Sequence, residues 1–387
     1  LPADPEPTYL DHNATSPLKP EVRDAMLPFL GGVTGNATSL HAAGRRSKQA
    51  VETARAHVAA LVGATDPAEI VFTSGGTEAD VLALRGTFER DDLDPSFDTL
   101  VTTAVEHPAV LQTARLLQSH GVRVLFTPVD AHGRLADPVI DDRTRLVSVM
   151  AANNETGNLY DIAGIARRAR ETGALVHTDA VQALGRIAID AAGWGLDLLS
   201  ASAHKLGGPT GVGCLYLAKG VSLAPVSTGG GQERGLRSGT LNVAGIVGFG
   251  EAARLAKERL SADAARVRTL RDRFEAGVIH AVPGVVFQGD LAHRLPNTSS
   301  LSIPGTKGEA LLMAMDAMGF CVSTGSACSS GSGKPSHVLV AMGVPAELLG
   351  ASLRVSLAAS NTEAEVDAAV AALADVARHL RHLATGS

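Results

Sequence analysis

The sequence predicts an α/β fold built on a mainly parallel sheet, together with a second, smaller α+β domain. Three observations support this prediction. Between about residues 68 and 217, short β-rich segments alternate with helical patterns of ten or more residues, which is typical of a parallel sheet covered on both faces. From about residue 243 onward, long helical segments flank a few short β-rich ones instead. The length of 387 residues is sufficient for two domains.

The elements of the predicted sheet follow one another along the chain. The strand pattern "EIVFT" leads into the helical "GTEADVLALRGTF", and "TLVTTAV" leads into "HPAVLQTARLLQSHG". Next come the strands "VRVLFTPV" and "TRLVSVMAA", the helix "DIAGIARRARETG", and the strands "ALVHTDA", "LDLLSAS" and "CLYLA". In the second domain, the long helices "EAARLAKERLSADAARVRTLRDRFEAG" and "EAEVDAAVAALADVARHL" flank the short segments "VVFQG", "SSLSIPG" and "SLRVSLA".

Composition excludes several classes of function. Hydrophobic residues make up 45% and charged residues 19% of the chain, as in soluble globular proteins. A net charge of −6 without a Lys/Arg block gives no reason to expect a nucleic-acid partner. No apolar run reaches the length of a membrane span, and the N-terminal "LPADPEPTYLD" lacks the regions of a signal peptide. The three cysteines predict neither a disulfide framework nor a closed zinc site, so we expect a cytoplasmic protein without a membrane partner.

Polar residues collect where the predicted strands stop, although most of them are ambiguous when taken singly. Gly76 and Thr77 follow "EIVFT" and open a helix, whose free N–H groups suit an anion, but an ordinary helix cap explains them equally well. His107 precedes a proline suited to a first helical turn, and a structural role is the default for it. The segment 153–157, "NNETG", reads by itself as a turn.

Two residues are harder to explain as ordinary structure. Asp179 ends the apolar "ALVHT", where an unpaired carboxylate is unfavourable unless it meets a cation or hydrogen-bond donors. Lys205 ends another apolar strand, next to Ser202 and His204, although lysine is among the residues least often buried. A surface turn with an exposed lysine would be the usual interpretation of a lone Lys-Gly junction.

Together these residues match the needs of one cofactor. Ligands of parallel sheets bind beyond the carboxyl ends of the strands, where all of these residues are predicted to lie. Thr77, Ser202 and His204 offer a phosphate site, and a planar histidine, a carboxylate and a lysine lie nearby in the predicted fold. Pyridoxal phosphate (PLP) requires a lysine amine for its aldehyde and an acidic partner for its ring nitrogen. The sequence therefore predicts a PLP site.

The sequence resembles the cysteine desulfurases, the NifS/IscS-like group of fold-type I, class V aminotransferase-like PLP enzymes. The resemblance covers nearly the whole chain. It implies a large PLP-binding domain (16–255) with a mainly parallel seven-stranded sheet, and a small domain (1–15 and 256–387) that carries a catalytic-cysteine loop (323–336). The motifs that carry it, in chain order, are "YLDHNATSP", "GNATSLHAAGR", "FTSGGTEAD", "EHPAVL", "NNETG", "HTDAVQALG", "SASAHKLGGPTGVG", "GGGQERGLRSGTLNVAGIVGFG", "STGSACSSG" and "SLRVSLAASNTEAEVD".

The resemblance implies a role for each matching residue. Lys205 forms the Schiff base with the cofactor, His107 stacks on the cofactor ring and transfers protons, and Cys328 accepts sulfur as a persulfide. Arg354 binds the substrate carboxylate, for which the planar guanidinium is well suited. The remaining implied ligands are Asp179 at the ring nitrogen, Asn154 (also at the substrate) and Gln182 near the ring oxygen, Gly76, Thr77, Ser202 and His204 at the phosphate, and Thr240 at the phosphate of the neighbouring subunit.

The implied activity is the conversion of L-cysteine to L-alanine, with sulfur passed from Cys328 to an acceptor protein. The implied assembly is a homodimer, because Thr240 reaches across to the partner subunit. No resident metal is expected, and transient Fe–S ligation by Cys328 rests on analogy alone. The sequence departs from the family at Ser16, at 158–160, at Gly207 and at Thr210, which leaves open whether the acceptor serves Fe–S cluster assembly or another pathway.

Two other functions stay open at the level of the sequence. A selenocysteine lyase, another C–S lyase or an aminotransferase of the same fold would not require Cys328 for ordinary substrates. A cofactor-free cysteine acyltransferase that uses Cys328 and a histidine is a different class of enzyme, but it leaves Asp179 and Lys205 unexplained.

Overall fold

The computed structural model describes residues 6–33, 35–90, 92, 94–325 and 335–385. Cys328 and most of the predicted catalytic loop (326–334) lie outside the described residues. Within the described ranges, no helix combines the length and the apolar character needed to cross a membrane.

A seven-stranded sheet forms the centre of the larger part of the molecule. Its strand order is β2-β8-β7-β6-β5-β3-β4, and β8 runs antiparallel to both of its neighbours while the other pairings are parallel. The predicted α/β fold with a mainly parallel sheet is confirmed. The strands are β2 (Ile70–Thr73), β3 (Thr99–Thr103), β4 (Arg123–Thr127), β5 (Thr144–Ser148), β6 (Leu175–Asp179), β7 (Leu198–Ser202) and β8 (Gly213–Leu217).

Helices cover both faces of this sheet, and their ends follow local capping rules. Helix α5 begins after Asp161, whose carboxylate accepts the N–H of Gly164, and it ends at Gly173 with a left-handed φ of 78°. The helices of this part are α1 (Pro20–Gly31), α2 (Ala42–Val62), α3 (Gly76–Phe88), α4 (Pro108–Ser119), α5 (Ile162–Thr172), α6 (Ala191–Trp194) and α7 (Val243–Ala281).

The rest of the chain packs around a three-stranded antiparallel sheet and a short parallel pair. The three-stranded sheet has the order β12-β10-β9, and β1 pairs with β11, which brings the N-terminal segment to the C-terminal part of the chain. The elements are β1 (Thr8–Tyr9), β9 (Val286–Phe287), β10 (Thr298–Ser302), α8 (Gly308–Ala317), β11 (Phe320–Cys321), α9 (His337–Ala341), α10 (Ala346–Leu349), β12 (Ser352–Ser356) and α11 (Glu363–Thr385).

Separate apolar clusters lie in the two parts. One cluster contains Phe72, Val101 and Phe249 around the large sheet, and another contains Leu10, Phe274 and Leu353 around the small one. Helix α7 contributes side chains to both clusters. The predicted boundary between residues 255 and 256 falls inside this helix and stays a prediction.

Candidate active site

The predicted site residues follow strands that share one edge of the large sheet. Strands β3, β5, β6 and β7 run in the same direction, so their carboxyl ends lie together. His107 follows β3, Asn154 follows β5, Asp179 ends β6 and Lys205 follows β7. The polar residues that the sequence scatters over a hundred positions are therefore brought to one place.

Asp179 is a buried carboxylate that lies near His107 and Lys205. One of its oxygens accepts the backbone N–H of Val181 at 2.9 Å, and the residue is 6% exposed. A carboxylate oxygen of Asp179, a ring nitrogen of His107 and a carboxylate oxygen of Asp80 all lie within 4.8 Å of one another. Burial raises the pKa of Asp179, whereas the nearby His107 and Lys205 oppose that rise. A cation placed against this carboxylate would stabilise its ionised form.

His107 serves as the N-cap of α4. Its Nδ1 atom accepts the N–H of Ala109 at 3.2 Å, which requires that Nδ1 carry no proton. Burial lowers the pKa of His107, while the carboxylate of Asp179 opposes this. The ring is thus a neutral imidazole with its proton on Nε2.

Lys205 lies in a 3₁₀ turn, Ala203–Leu206, directly after β7. Its Nζ donates to the carbonyl oxygens of Asn13 and Ala14 in the N-terminal segment. The turn ends at Gly207 with a φ of 75°, and a Cβ there would lie 2.9 Å from Cγ of Lys19. The left-handed backbone and the close lysine stem account for glycine at this position.

The N-terminus of α3 meets the end of β7. A Cβ on Gly76 would lie 2.6 Å from a methyl group of Val181 and 3.7 Å from Cβ of Ser202. Only glycine leaves space here, next to the unsatisfied N–H groups of the first turn of the helix and the exposed Thr77. His204 pairs through Nδ1 with the hydroxyl of Thr15 at 3.1 Å, and burial lowers its pKa to about 4.

The side chains of Gln182 and Asn154 differ in how many of their hydrogen bonds the protein itself provides. Gln182 donates from Nε2 to the carbonyl of Asn13 and accepts from Arg186 at Oε1, which fixes the orientation of its amide. The side-chain oxygen of Asn154 is buried and has no hydrogen-bond partner among the described residues. An unsatisfied buried oxygen is unfavourable, so this position is suited to a ligand that donates a hydrogen bond.

Arg354 lies on β12 and reaches the site from the small part of the molecule. Its guanidinium donates to the carbonyl oxygen of Asn154 at 3.0 Å and to the carboxylate of Asp11 at 2.7 Å. Its Nε is buried and lacks a hydrogen-bond partner among the described residues. The guanidinium therefore retains a donor for an anionic group.

Thr240 is exposed, and within the described part of the chain it forms no hydrogen bond to another predicted site residue. Its expected contact with the neighbouring subunit stays a prediction.

A buried polar network lies beneath Asp179 that sequence reasoning missed. Asp80 on α3 is 1% exposed, and burial together with Asp179 raises its pKa. Its Oδ1 lies 3.6 Å from Nε2 of the buried His177, too far for a hydrogen bond. The two nitrogens of His177 pair with the hydroxyls of Ser148 and Ser200. A buried histidine two residues before Asp179 in "ALVHTDA" was the available signal.

The residues present fit PLP. The buried Asp179 suits a protonated ring nitrogen, the orphaned oxygen of Asn154 suits a donor, and the space kept by Gly76 beside Ser202 suits a phosphate at a helix N-terminus. Each of these observations comes from a different element, and each matches a different part of the same cofactor.

The comparisons with known proteins agree with this geometry. The aminotransferase class-V family profile matches residues 8–369. A cysteine desulfurase of Cereibacter sphaeroides is 47% identical over 98% of this chain and 97% of its own length. The cysteine desulfurase NifS of Azotobacter vinelandii is 42% identical over 97% of this chain and 94% of its own. A solved NifS-like protein superimposes with a TM-score of 0.90 at 37% identity, covering 96% of this chain and all of that one.

The chain belongs to the aminotransferase class-V family. Within that family its relatives place it among the NifS-like cysteine desulfurases, which are PLP-dependent enzymes. A further solved structure, described as SspA in complex with cysteine, matches 92% of this chain and all of that one, at 30% identity and a TM-score of 0.79.

Proposed function

We propose that the protein converts L-cysteine to L-alanine, with PLP attached at Lys205, and that it transfers the sulfur to Cys328 and on to an acceptor protein. The observation that carries the proposal is the convergence of Asp179, His107 and Lys205 at one sheet edge. In a chain of this family, that set has no simpler explanation than a PLP site.

We assign the cofactor contacts as follows. Asp179 pairs with the ring nitrogen, His107 stacks on the ring, and Asn154 and Gln182 face the ring oxygen. The phosphate lies against the first turn of α3 at Gly76 and Thr77, with Ser202 and His204 beside it, and Thr240 of the partner subunit completes this site in a homodimer. Bound PLP supplies an electron sink that stabilises negative charge at the substrate Cα.

The residues of the chain carry out the remaining steps. Arg354 binds the substrate carboxylate with the donor that the protein leaves unsatisfied. Lys205 takes the proton from the substrate Cα and acts as a general base. The Cys328 thiolate attacks the substrate sulfur. The Cβ–S bond breaks, its electron pair stays on the substrate carbon, and the sulfur remains on Cys328 as a persulfide. A proton from the site adds to Cβ and Lys205 returns its proton to Cα, which completes alanine.

The test compares the Cys328→Ser protein with the wild type and with Cys321→Ser, a control at a half-buried cysteine of the same part of the chain. Alanine release from L-cysteine is measured together with alkylation and peptide mass analysis of protein-bound sulfur. We expect a persulfide on Cys328 in the wild type and in Cys321→Ser, and little alanine from Cys328→Ser. Undiminished alanine from Cys328→Ser would reject the persulfide step and favour a lyase.

A further inference from the structure

Glu155 is a buried carboxylate that none of the steps above uses. It lies in the turn 153–157 after β5 and is 3% exposed. Its backbone N–H donates to the side-chain oxygen of Asn153 at 2.9 Å, and Asn153 in turn donates to the carbonyl of Val105. The turn therefore holds Glu155 in a fixed place next to Asn154, at the edge of the sheet where the site lies.

One oxygen of Glu155 meets both described ends of the segment that contains Cys328. Oε2 accepts the hydroxyl of Ser336 at 2.5 Å. A Cβ on Gly325 would lie 2.5 Å from the same Oε2 and 3.7 Å from Cβ of Ser336, so Gly325 approaches this oxygen more closely than any other residue type could. Gly325 and Ser336, which flank residues 326–335, thus lie at a single carboxylate oxygen.

The same place is tied to the residue assigned to the substrate carboxylate. Ser323, two residues before Gly325, exchanges backbone hydrogen bonds with Arg354, at 3.1 and 2.6 Å. Burial raises the pKa of the Glu155 carboxyl group to about 7. The positive charge of Arg354 acts on the same group and opposes this rise. Ser336, besides its contact with Glu155, caps α9 by accepting the N–H of Leu339.

We propose that Glu155 is a positioning residue for sulfur transfer, because its Oε2 atom accepts the hydroxyl of Ser336 and packs against Gly325, and so sets where the Cys328 segment starts and ends. The inference rests on the proposed function, since it assigns Cys328 as the sulfur acceptor. A buried carboxylate is unfavourable unless it is well paired. The contacts of Glu155 with the two flanks of the Cys328 segment account for a buried carboxylate in this turn.

The experiment compares Glu155→Ala and Glu155→Gln with Glu69→Gln, a matched control at another buried glutamate whose partners are Thr65, Asp66 and Lys219. Rapid mixing with L-cysteine measures the persulfide that forms on Cys328 in one turnover. We expect Glu155→Ala to slow this step about tenfold or more. Glu155→Gln keeps an acceptor for Ser336 and should retain most of the rate, and Glu69→Gln should match the wild type.

Three further readouts separate positioning from general damage. The absorbance of the bound cofactor, and the cysteine concentration that half-saturates its change, should be the same in Glu155→Ala and the wild type. Ser336→Ala should slow sulfur transfer, while Ser336→Thr keeps both the donor to Glu155 and the cap of α9. Adding Ser336→Ala to Glu155→Ala should cause a smaller loss than Ser336→Ala causes in the wild type. Gly325→Ala should be harmful in the wild type and less so in Glu155→Ala, which lacks the obstructing oxygen.

The outcomes distinguish the two proposals. If the wild type forms no persulfide on Cys328, the proposed function fails. The rate at which iodoacetamide alkylates Cys328 then decides on Glu155, and a change of that rate by more than threefold in Glu155→Ala supports positioning. If the wild type forms the persulfide and Glu155→Ala forms it equally fast, or loses cofactor absorbance and sulfur transfer together, the role of Glu155 is overturned. If the alanine protein does not fold, the Ser336 variants decide: a slower transfer in Ser336→Ala than in Ser336→Thr supports the role of Glu155, and equal rates overturn it.

Discussion

Lys205 and Lys19 line the same cavity, yet only one of them follows a strand of the parallel sheet. Lys205 lies at the carboxyl edge near His107 and Asp179, where an amine can reach a cofactor aldehyde. We expect Lys205→Ala to lose the PLP absorbance that borohydride fixes covalently, and Lys19→Ala to keep it. Peptide mass analysis after reduction checks this assignment, and PLP found on any lysine other than 205 would contradict it.

Glu106 gives a pH dependence of stability that can be separated from catalysis. It is fully buried, and desolvation raises its pKa to about 8, while donors from Thr103 and Met150 reach only one of its oxygens. The folded state therefore holds a proton on Glu106 that the unfolded state releases above pH 4.3 or so. Its contribution to stability is fully present below that pH and is lost as the pH rises through 8.

Glu106→Gln should remove this dependence. Between about pH 5 and 8 the free energy of unfolding falls by at most about 1.4 kcal/mol per pH unit, because the folded state keeps this proton and the unfolded state does not. We expect the glutamine protein to show a flatter profile and to gain stability relative to the wild type as the pH approaches 8. Urea unfolding at pH 5, 6, 7 and 8 measures it, and parallel profiles for the two proteins would show that Glu106 is ionised in the fold.

At the scale of elements, the sequence predicted helices and parallel strands better than it predicted what lies between them. Helix α3 occupies the residues that were expected, since glycines precede it and its apolar residues recur at helical spacing. The antiparallel direction of β8 did not follow from local pattern, because β8 is buried on both faces just as β7 is. The proximity of Asp80 to Asp179 depends on how α3 packs on the sheet, which periodicity does not specify.

The role of the N-terminus of α3 can be tested by a pair of adjacent glycines. A Cβ on Gly76 would press on Val181, whose N–H holds Asp179, whereas a Cβ on Gly75 would have no atom within 4 Å. Overpacking of this kind costs about 1–3 kcal/mol. We expect Gly76→Ala to weaken PLP binding about tenfold and Gly75→Ala to leave it near the wild-type value. Fluorescence titration of the cofactor-free proteins with PLP measures this, and equal affinities would remove Gly76 from the phosphate site.

At the scale of the whole molecule, the site that we propose combines residues of two chains. Thr240 is exposed, and its motif implies a contact with the cofactor phosphate of the neighbouring subunit. In a closed dimer of two identical chains, each site would then combine Lys205 of one subunit with Thr240 of its partner.

Heterodimers of two different variants test this arrangement. The two substitutions fall in the same site if Thr240 acts across the interface, and in different sites if it acts within its own chain. We combine Lys205→Ala with Thr240→Asp, whose negative charge would repel a phosphate, and isolate the heterodimer by two affinity tags. If Thr240 acts across the interface, both lesions fall in one site and the other site is intact, so the heterodimer should recover about half of the wild-type activity while each parent homodimer stays well below it. If Thr240 acts within its own chain, every site carries one lesion and no activity is recovered. Ser261→Asp, an exposed substitution on α7, serves as the charge control. Sedimentation that finds the wild-type activity in a monomer would overturn the shared site.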